Sequence, residues 1–359
     1  MDKVKIAVIG VGGIARGNHL PGYMRMDNVE IVAVCDILED RAKAVAEQFN
    51  VPAYYTDYKD VLKIEGLDAV DICTPNKLHS IIAVEALEAG LNVFCEKPDA
   101  VNVEEAEKMK AAAEKSGKLL MVMRNNRFWL TSEFLKKYIE DGKMGQIYAA
   151  RCGWRRRRGI PGKGGWFTTK EMSGGGPLID LGVHMIDLAI WLMGSPRPVA
   201  VSGSTYTMFA NSDAADSVHS QFGDKVEGGT FDVEDLAMGF IKFDNGACMQ
   251  IEFSWASNIE AEQTFVHLYG DKAGSSWVNK WGKDNGLKIF TEENGTTVDF
   301  LPNINNANGV QIHEANLRHF VDCLINGTEP IFKVQEGVDM IKILEGMYKS
   351  AETGREVLL

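Results

Sequence analysis

The sequence predicts an α/β protein: an open, doubly wound parallel sheet, then an α+β domain with a large, mainly antiparallel open sheet. Three observations predict it. Through residue 125, short β-branched runs alternate with helix-length segments of near-3.6 apolar spacing, and that alternation specifies a parallel sheet. Beyond it the rhythm shifts to long, alternating, turn-punctuated runs, the pattern of antiparallel pairing. The length of 359 residues suits two domains at roughly 100 to 200 residues apiece. The expected domains are 1–125 for a cofactor and 126–359 for substrate and subunit contacts, with a closing helix able to pack back on the first.

In the first domain the expected strands are Lys3 to Ile9, Val29 to Val34, Ala69 to Cys73, Asn92 to Cys95 and Lys118 to Met123. The helices between them read as Ala15 to Met26, Glu39 to Phe49, Leu78 to Ala89 and Val103 to Ser116. In the second, a helix from Ser132 to Asp141 precedes strand candidates Gln146 to Arg156, Val199 to Met208, Val233 to Phe243, Cys248 to Ser257 and Thr264 to Tyr269. Asp244-Asn245-Gly246 reads as a hairpin turn. Amphipathic segments Gln311 to Ile325 and Val334 to Ala351 close the chain, and the polar stretch Asn211 to Gly229 reads as a long mobile loop.

Composition excludes several classes. Apolar residues at 45% and charged residues at 25% are ordinary for a globular chain. A net charge of −12 repels nucleic-acid phosphates. No signal peptide and no run of membrane-spanning length is seen. Cys35, Cys73, Cys95, Cys152, Cys248 and Cys323 are scattered with no metal-like pairing. A cytoplasmic protein with reduced thiols is expected.

Gly10-Val11-Gly12-Gly13-Ile14-Ala15 fits G-x-G-x-x-A between the first strand and the first helix. The first glycine permits a tight turn, the second lets backbone approach a pyrophosphate, and Ala15 lets helix and strand pack closely. The helix N-terminus then offers free N–H groups to phosphate. Asp36, after the second strand, can accept from the adenosine ribose hydroxyls and repels a 2′-phosphate. A Rossmann domain with NAD, rather than NADP, follows.

Glu96-Lys97-Pro98 ends the Asn92 to Cys95 strand, where open parallel sheets present ligand-contacting groups. Thr74-Pro75-Asn76 ends the preceding strand, with Asn76 a candidate cap and His79 in the next helical turn. Farther on, Asp180 and His184 in Gly174-Gly175-Gly176-Pro177-Leu178-Ile179-Asp180-Leu181-Gly182-Val183-His184 share a face if the segment is one helix. A carboxylate beside an imidazole sets its tautomer and raises its basicity; a capping Asp and a core His are the structural alternative. Glycine-rich flanks and no further acidic or histidine cluster argue against a metal held by Asp180, His184 and Asp187.

In Trp154-Arg155-Arg156-Arg157-Arg158-Gly159-Ile160-Pro161, alternate arginines on a strand point to opposite faces. Arg156 and Arg158 are candidates for substrate, and Trp154 and Trp166 offer flat surfaces for a sugar ring or, equally, for core packing. Arg127 is a candidate for cofactor or substrate, or for a domain-joining ion pair.

Across nearly the whole chain these motifs, with the closing His319-Phe320-Val321-Asp322 to Gly354-Arg355 region, resemble the Gfo/Idh/MocA oxidoreductase family, that of glucose–fructose oxidoreductase and myo-inositol dehydrogenase. The resemblance implies cofactor contacts from Gly10, Gly12, Gly13, Ile14, Asp36, Thr74, Pro75, Asn76, His79, Glu96 and Lys97. It implies catalytic roles for Lys97, which positions nicotinamide and substrate, for Asp180, which supports it, and for His184 as acid or base. Asp180 and His184 then also touch substrate. The reaction implied is oxidation of a secondary hydroxyl to a ketone by hydride transfer to NAD. The Arg-Gly-Ile-Pro stretch resembles that of members acting on sugars and glycosides, some at C3; inositol oxidation and a sensor without efficient turnover are the alternatives. Homo-oligomers formed through the C-terminal sheet are implied as well.

Overall fold

In the computed structural model, which describes residues 3–279, 286–304 and 311–359, the glycine loop separates two elements of opposite demand. β1 (Val4–Ile9) is apolar and buried on both faces from Ile6 onward, as a central parallel strand requires, with only Lys5 exposed near its start. A widened, π-type helical turn, Ala15–His19, then runs directly into α1 (Leu20–Met24). The remaining elements of this part are β2 (Val29–Cys35), α2 (Glu39–Phe49), β3 (Tyr54–Tyr55), α3 (Tyr58–Val61), β4 (Ala69–Ile72), α4 (Lys77–Glu88), β5 (Asn92–Cys95), α5 (Val103–Ser116) and β6 (Leu120–Val122). Asn102 caps α5, its side chain accepting from the Glu105 N–H.

The six strands are all parallel, in the order β3-β2-β1-β4-β5-β6. The order reverses at β1/β4, which is where such sheets bind ligands at their carboxyl ends. Sequence periodicity misses β3, whose two residues are too short for a pattern.

The later elements are α6 (Leu130–Glu140), β7 (Ile147–Arg155), α7 (Lys170–Ser173), α8 (Pro177–Asp180), α9 (Gly182–Leu192), β8 (Pro198–Tyr206), β9 (Leu236–Phe243), β10 (Cys248–Ser254), β11 (Gln263–Gly270), β12 (Ala273–Asn279), β13 (Lys288–Glu293), β14 (Thr296–Phe300), α10 (Ile312–Asn326), α11 (Val334–Thr353) and β15 (Val357–Leu358). Nine strands form a second sheet, β14-β13-β12-β11-β7-β10-β9-β8-β15, antiparallel except where β10 runs parallel to β7. α9, the most apolar helix, packs on β7 and β11. Among the described residues no single helix is long and apolar enough to cross a membrane. All six cysteines are unpaired.

The chain divides into two compact units. The first holds the described residues of 1–125, 171–174 and 310–341; the second holds those of 126–170, 175–309 and 342–359. In the first unit α10 packs on α1, with Leu317 against Gly22, and Phe320 lies 5.2 Å from the Phe94 ring on β5.

The stretch from Asn211 to Gly229 is a long loop, as its composition suggests, carrying one short helical turn at Val218–Gln221. It packs backbone to backbone on residues 158–168. A Cβ on Gly164 would sit 1.9 Å from the Val226 carbonyl oxygen, and one on Gly229 would sit 2.1 Å from that of Gly164. Hydrogen bonds from Val226 N–H to the Lys163 carbonyl and from the Asp216 and Ser217 N–H groups to the Arg158 carbonyl complete the seam.

Candidate active site

The first unit gathers its chemistry at the carboxyl ends of β1, β2, β4 and β5. Gly10 has φ +88°, and a Cβ there would meet the Cys73 carbonyl at 2.7 Å. Only glycine lets the loop turn this tightly over the end of β4. At Gly12 and Gly13 an added Cβ meets nothing within 4 Å, so that face of the loop is open. The first-turn N–H groups there lack intrahelical acceptors by position. Asp36 is buried, its Oδ2 accepting from Val11 N–H at 3.2 Å and its Oδ1 from Leu38 N–H at 3.0 Å. Arg41, 3.7 Å from Asp36 Oδ2, is drawn to this carboxylate. The buried Thr74 Oγ1 has no protein partner. An open glycine turn, a carboxylate at the ribose position and an orphan hydroxyl fit a dinucleotide.

Asn76 does not cap α4 with its side chain; its amide donates to the Ser173 carbonyl at 2.8 Å. His79 is fully buried. Its Nδ1 lies 2.7 Å from the Pro98 carbonyl oxygen and its Nε2 2.9 Å from that of Thr74, so it joins the segment after β4 to the segment after β5. Burial pushes its pKa down, against the two carbonyl contacts. Lys97 is partly exposed, and its N–H donates to its neighbour Glu96 Oε2 at 3.0 Å.

Sequence reasoning missed the group beneath Glu96. His19 is wholly buried, with Nδ1 2.7 Å from Asp71 Oδ2 and Nε2 2.8 Å from Glu96 Oε1. The available signal was Asp71 itself, a charge within the apolar run Ala69-Val70-Asp71-Ile72, which demands a buried partner.

In the second unit the expected helix carrying Asp180 and His184 is broken. α8 ends at Asp180 and α9 begins at Gly182, with Leu181 as the joint between them, its N–H donating to the Pro177 carbonyl and its carbonyl accepting from His184 N–H. The glycines before α8 are there for packing. A Cβ on Gly175 would lie 2.0 Å from the Tyr348 hydroxyl, and one on Gly176 equally close to the Glu234 carbonyl. Buried Glu234 accepts from the N–H groups of Gly176 and Leu178 and from Tyr348, and so fixes the start of α8. Asp180 accepts from the Trp255 indole N–H at 2.9 Å.

The partly exposed His184 ring lies 6.0 Å from that of Trp154. The ladder continues past β7 from Arg156 N–H to the Ser254 carbonyl, so Trp154 and Arg156 share a face while Arg155 turns to Glu252 and Gln263 on the other. Arg156 is buried 4.9 Å from the Trp154 ring, with Nε 3.5 Å from Glu262 Oε1. Glu262 also accepts from the Trp154 indole at 2.8 Å and from Ser217 at 3.0 Å, and His219 Nε2 lies 3.2 Å away. Burial alone would raise the Glu262 carboxyl, but His219, Trp154 and Arg156 hold it below its ordinary value. Glu262, His219 and Trp255 carry no motif in the sequence; two lie in or beside turns whose register only the fold sets.

Three further expected substrate contacts, Arg127, Arg158 and Trp166, have these partners within the chain. Arg127 is buried and forms a bidentate pair with Asp187, at 2.9 and 2.6 Å. That pair lies inside the second unit, so it does not join domains. Arg158 donates to the carbonyls of Arg157 and Ser257 and to Asn258, with its guanidinium 4.2 Å from the Phe209 ring. Trp166 stacks on Phe167 at 3.8 Å.

The fold and these residues define a dinucleotide-binding oxidoreductase. A family model described as "Oxidoreductase family, NAD-binding Rossmann fold" matches residues 4–124, and one described as "Oxidoreductase family, C-terminal alpha/beta domain" matches residues 136–359. The chain belongs to the Gfo/Idh/MocA oxidoreductase family, and its cofactor is NAD.

Among its relatives, the D-glucoside 3-dehydrogenase of Escherichia coli is 33% identical over 358 residues, 99% of this chain and 97% of that protein. The levoglucosan dehydrogenase of Pseudarthrobacter phenanthrenivorans is 33% identical over 266 residues, 70% and 67% of the two chains. The NAD(+) scyllo-inositol 2-dehydrogenase of Bacillus subtilis is 28% identical over 339 residues, 92% and 88%. An oxidoreductase domain protein from Kribbella flavida shares the fold at TM-score 0.86 and 23% identity, covering 100% of this chain and 99% of its own.

Proposed function

We propose that the protein oxidises a secondary hydroxyl of a sugar or glycoside, at C3 of a pyranoside, with Lys97, Asp180 and His184 as the reacting set. The observation that supports this most is the group around His184. An aromatic platform (Trp154), a buried guanidinium (Arg156) and a multiply bonded carboxylate (Glu262) suit an uncharged ring dense in hydroxyls. The similarity to the glucoside 3-dehydrogenase along almost the whole chain supports the same substrate class.

The first unit's glycine turn, Asp36 and Thr74 hold NAD, which supplies the hydride acceptor when bound. A nitrogen of His184 takes the proton of the reacting hydroxyl. Asp180, itself fixed by the Trp255 indole, supports the charge that His184 gains. Lys97 Nζ stabilises the oxyanion that develops as the proton leaves. Buried unpaired cysteines support a reducing, cytoplasmic setting, which cell fractionation checks.

Homo-oligomers are proposed through the second sheet. Strand register places exposed Met238, Phe240, Tyr269 and Phe290 on the face opposite Ala237, Ile241, Leu268 and Ile289, which are buried.

Lys97→Ala and His184→Ala should each bind NAD nearly as wild type while losing at least about a hundredfold in turnover. Reduction of added NAD, followed at 340 nm with glycosides, free sugars and inositols, measures both activity and preference. Turnover within a few fold of wild type in both variants removes the assignment; faster reaction with inositols than with any glycoside removes the substrate class.

A further inference from the structure

Lys97 leaves β5 as a long, flexible side chain, and its neighbours must set where it points. Glu96 supplies one fixed point, because its Oε2 accepts the Lys97 N–H. What fixes Glu96 is His19. The ring has no exposed surface and sits against two carboxylates, Asp71 at 2.7 Å and Glu96 at 2.8 Å. Two carboxylate oxygens on the two ring nitrogens require hydrogen on both. A neutral imidazole would turn a lone pair toward one of them, unless a carboxyl took the proton.

The surroundings decide where that proton lies. From β4 comes Asp71, and from just after it the Cys73 sulfur, 3.4 Å from Nδ1; from α1 comes Tyr23; from just after β5 come Glu96 and Lys97; and His313 on α10 acts on the same group electrostatically. Burial would raise the Glu96 carboxyl, yet His19 and Lys97 hold it well below its usual range; burial would lower His19, yet Asp71 drives it well above. The ring therefore carries the charge.

We propose that His19 is a positioning residue: a buried imidazolium that ties the helix following the glycine loop to β4 and to Glu96, and through Glu96 fixes the direction of Lys97. This rests on the reading of Lys97 as a reacting group, and the test separates the two. His19→Gln turns its amide nitrogen to one carboxylate and its carbonyl oxygen, an acceptor, to the other. It should lower kcat about tenfold or more while the KM for NAD stays within about threefold, because the change acts through Lys97 and not through the glycine turn. Because the path runs through Glu96, the double variant His19→Gln/Glu96→Gln should be no slower than the slower single variant. In wild-type protein labelled with 15N-histidine, both ring nitrogens of His19 should carry protons at pH 8.

A neutral His19 ring at that pH overturns the proposal, and this measurement does not depend on any variant folding. So do kcat losses that multiply in the double variant, or a His19→Gln enzyme within twofold of wild type while Lys97→Ala has lost its turnover. If Lys97→Ala itself remains active, the assignment of Lys97 is what has failed.

Discussion

Arg127→Met tests whether this residue serves the protein's interior or its substrate. The substitution keeps the unbranched stem and removes the guanidinium, leaving Asp187 buried without the two bonds now measured at 2.9 and 2.6 Å. Removing one partner of a buried pair costs about 3 to 5 kcal/mol, because the remaining charge keeps its desolvation penalty. For a unit of this size, each kcal/mol lowers the melting temperature by roughly 2 to 4 °C, so a fall of roughly 6 to 20 °C is expected. Arg127→Met/Asp187→Leu removes both charges and should recover most of it. The assay is thermal unfolding followed by tryptophan fluorescence, paired with steady-state kinetics on the folded fraction. The reasoning is refuted if Arg127→Met melts within about 2 °C of wild type while the substrate KM rises about tenfold, since that result makes Arg127 a ligand group.

Two further outcomes are expected. Phe240→Glu places a charge in the exposed apolar row of the second sheet and should convert the assembly to single chains, as read by light scattering; a wild-type protein that is already monomeric removes the premise. Burial holds the imidazole of His313 down at about 4 against an ordinary 6.5. The unfolded chain therefore binds the extra proton between about pH 6.5 and 4, and stability should fall as pH drops through that window, by on the order of 3 kcal/mol in full. His313→Asn should flatten urea-unfolding midpoints across that range; an unchanged pH dependence contradicts the account.

The first unit was largely legible in the sequence because its elements are local. The run Asn92 to Cys95 is a strand with those same ends, and so are the helices Glu39 to Phe49 and Val103 to Ser116. In the second unit periodicity located β7 to β11 but not β12 to β15. β12 carries Gly274, Ser275 and Ser276, and β15 is only two residues long, so neither shows a strong alternating pattern. Site residues followed the same division. Gly10, Asp36 and Lys97 announce themselves by position after a strand, whereas Glu262 and His219 matter only because β7 brings Trp154 and Arg156 to them. The broken helix at Leu181 was hidden because Asp180 and His184 have ideal helical spacing, and the Gly176 and Glu234 contacts that shape the start of α8 come from residues far apart in the chain.

The seam between residues 158–168 and 211–229 has a consequence for how the protein can change. The contacts that fasten it run largely through backbone, at Gly164, Val226 and Gly229 and at the Arg158 and Lys163 carbonyls. Exposed side chains of the stretch, such as those of Val218 and Val226, take no part in that fastening. Substitutions at its exposed side chains leave those backbone contacts in place, so the letters of the stretch can change while the loop keeps its course.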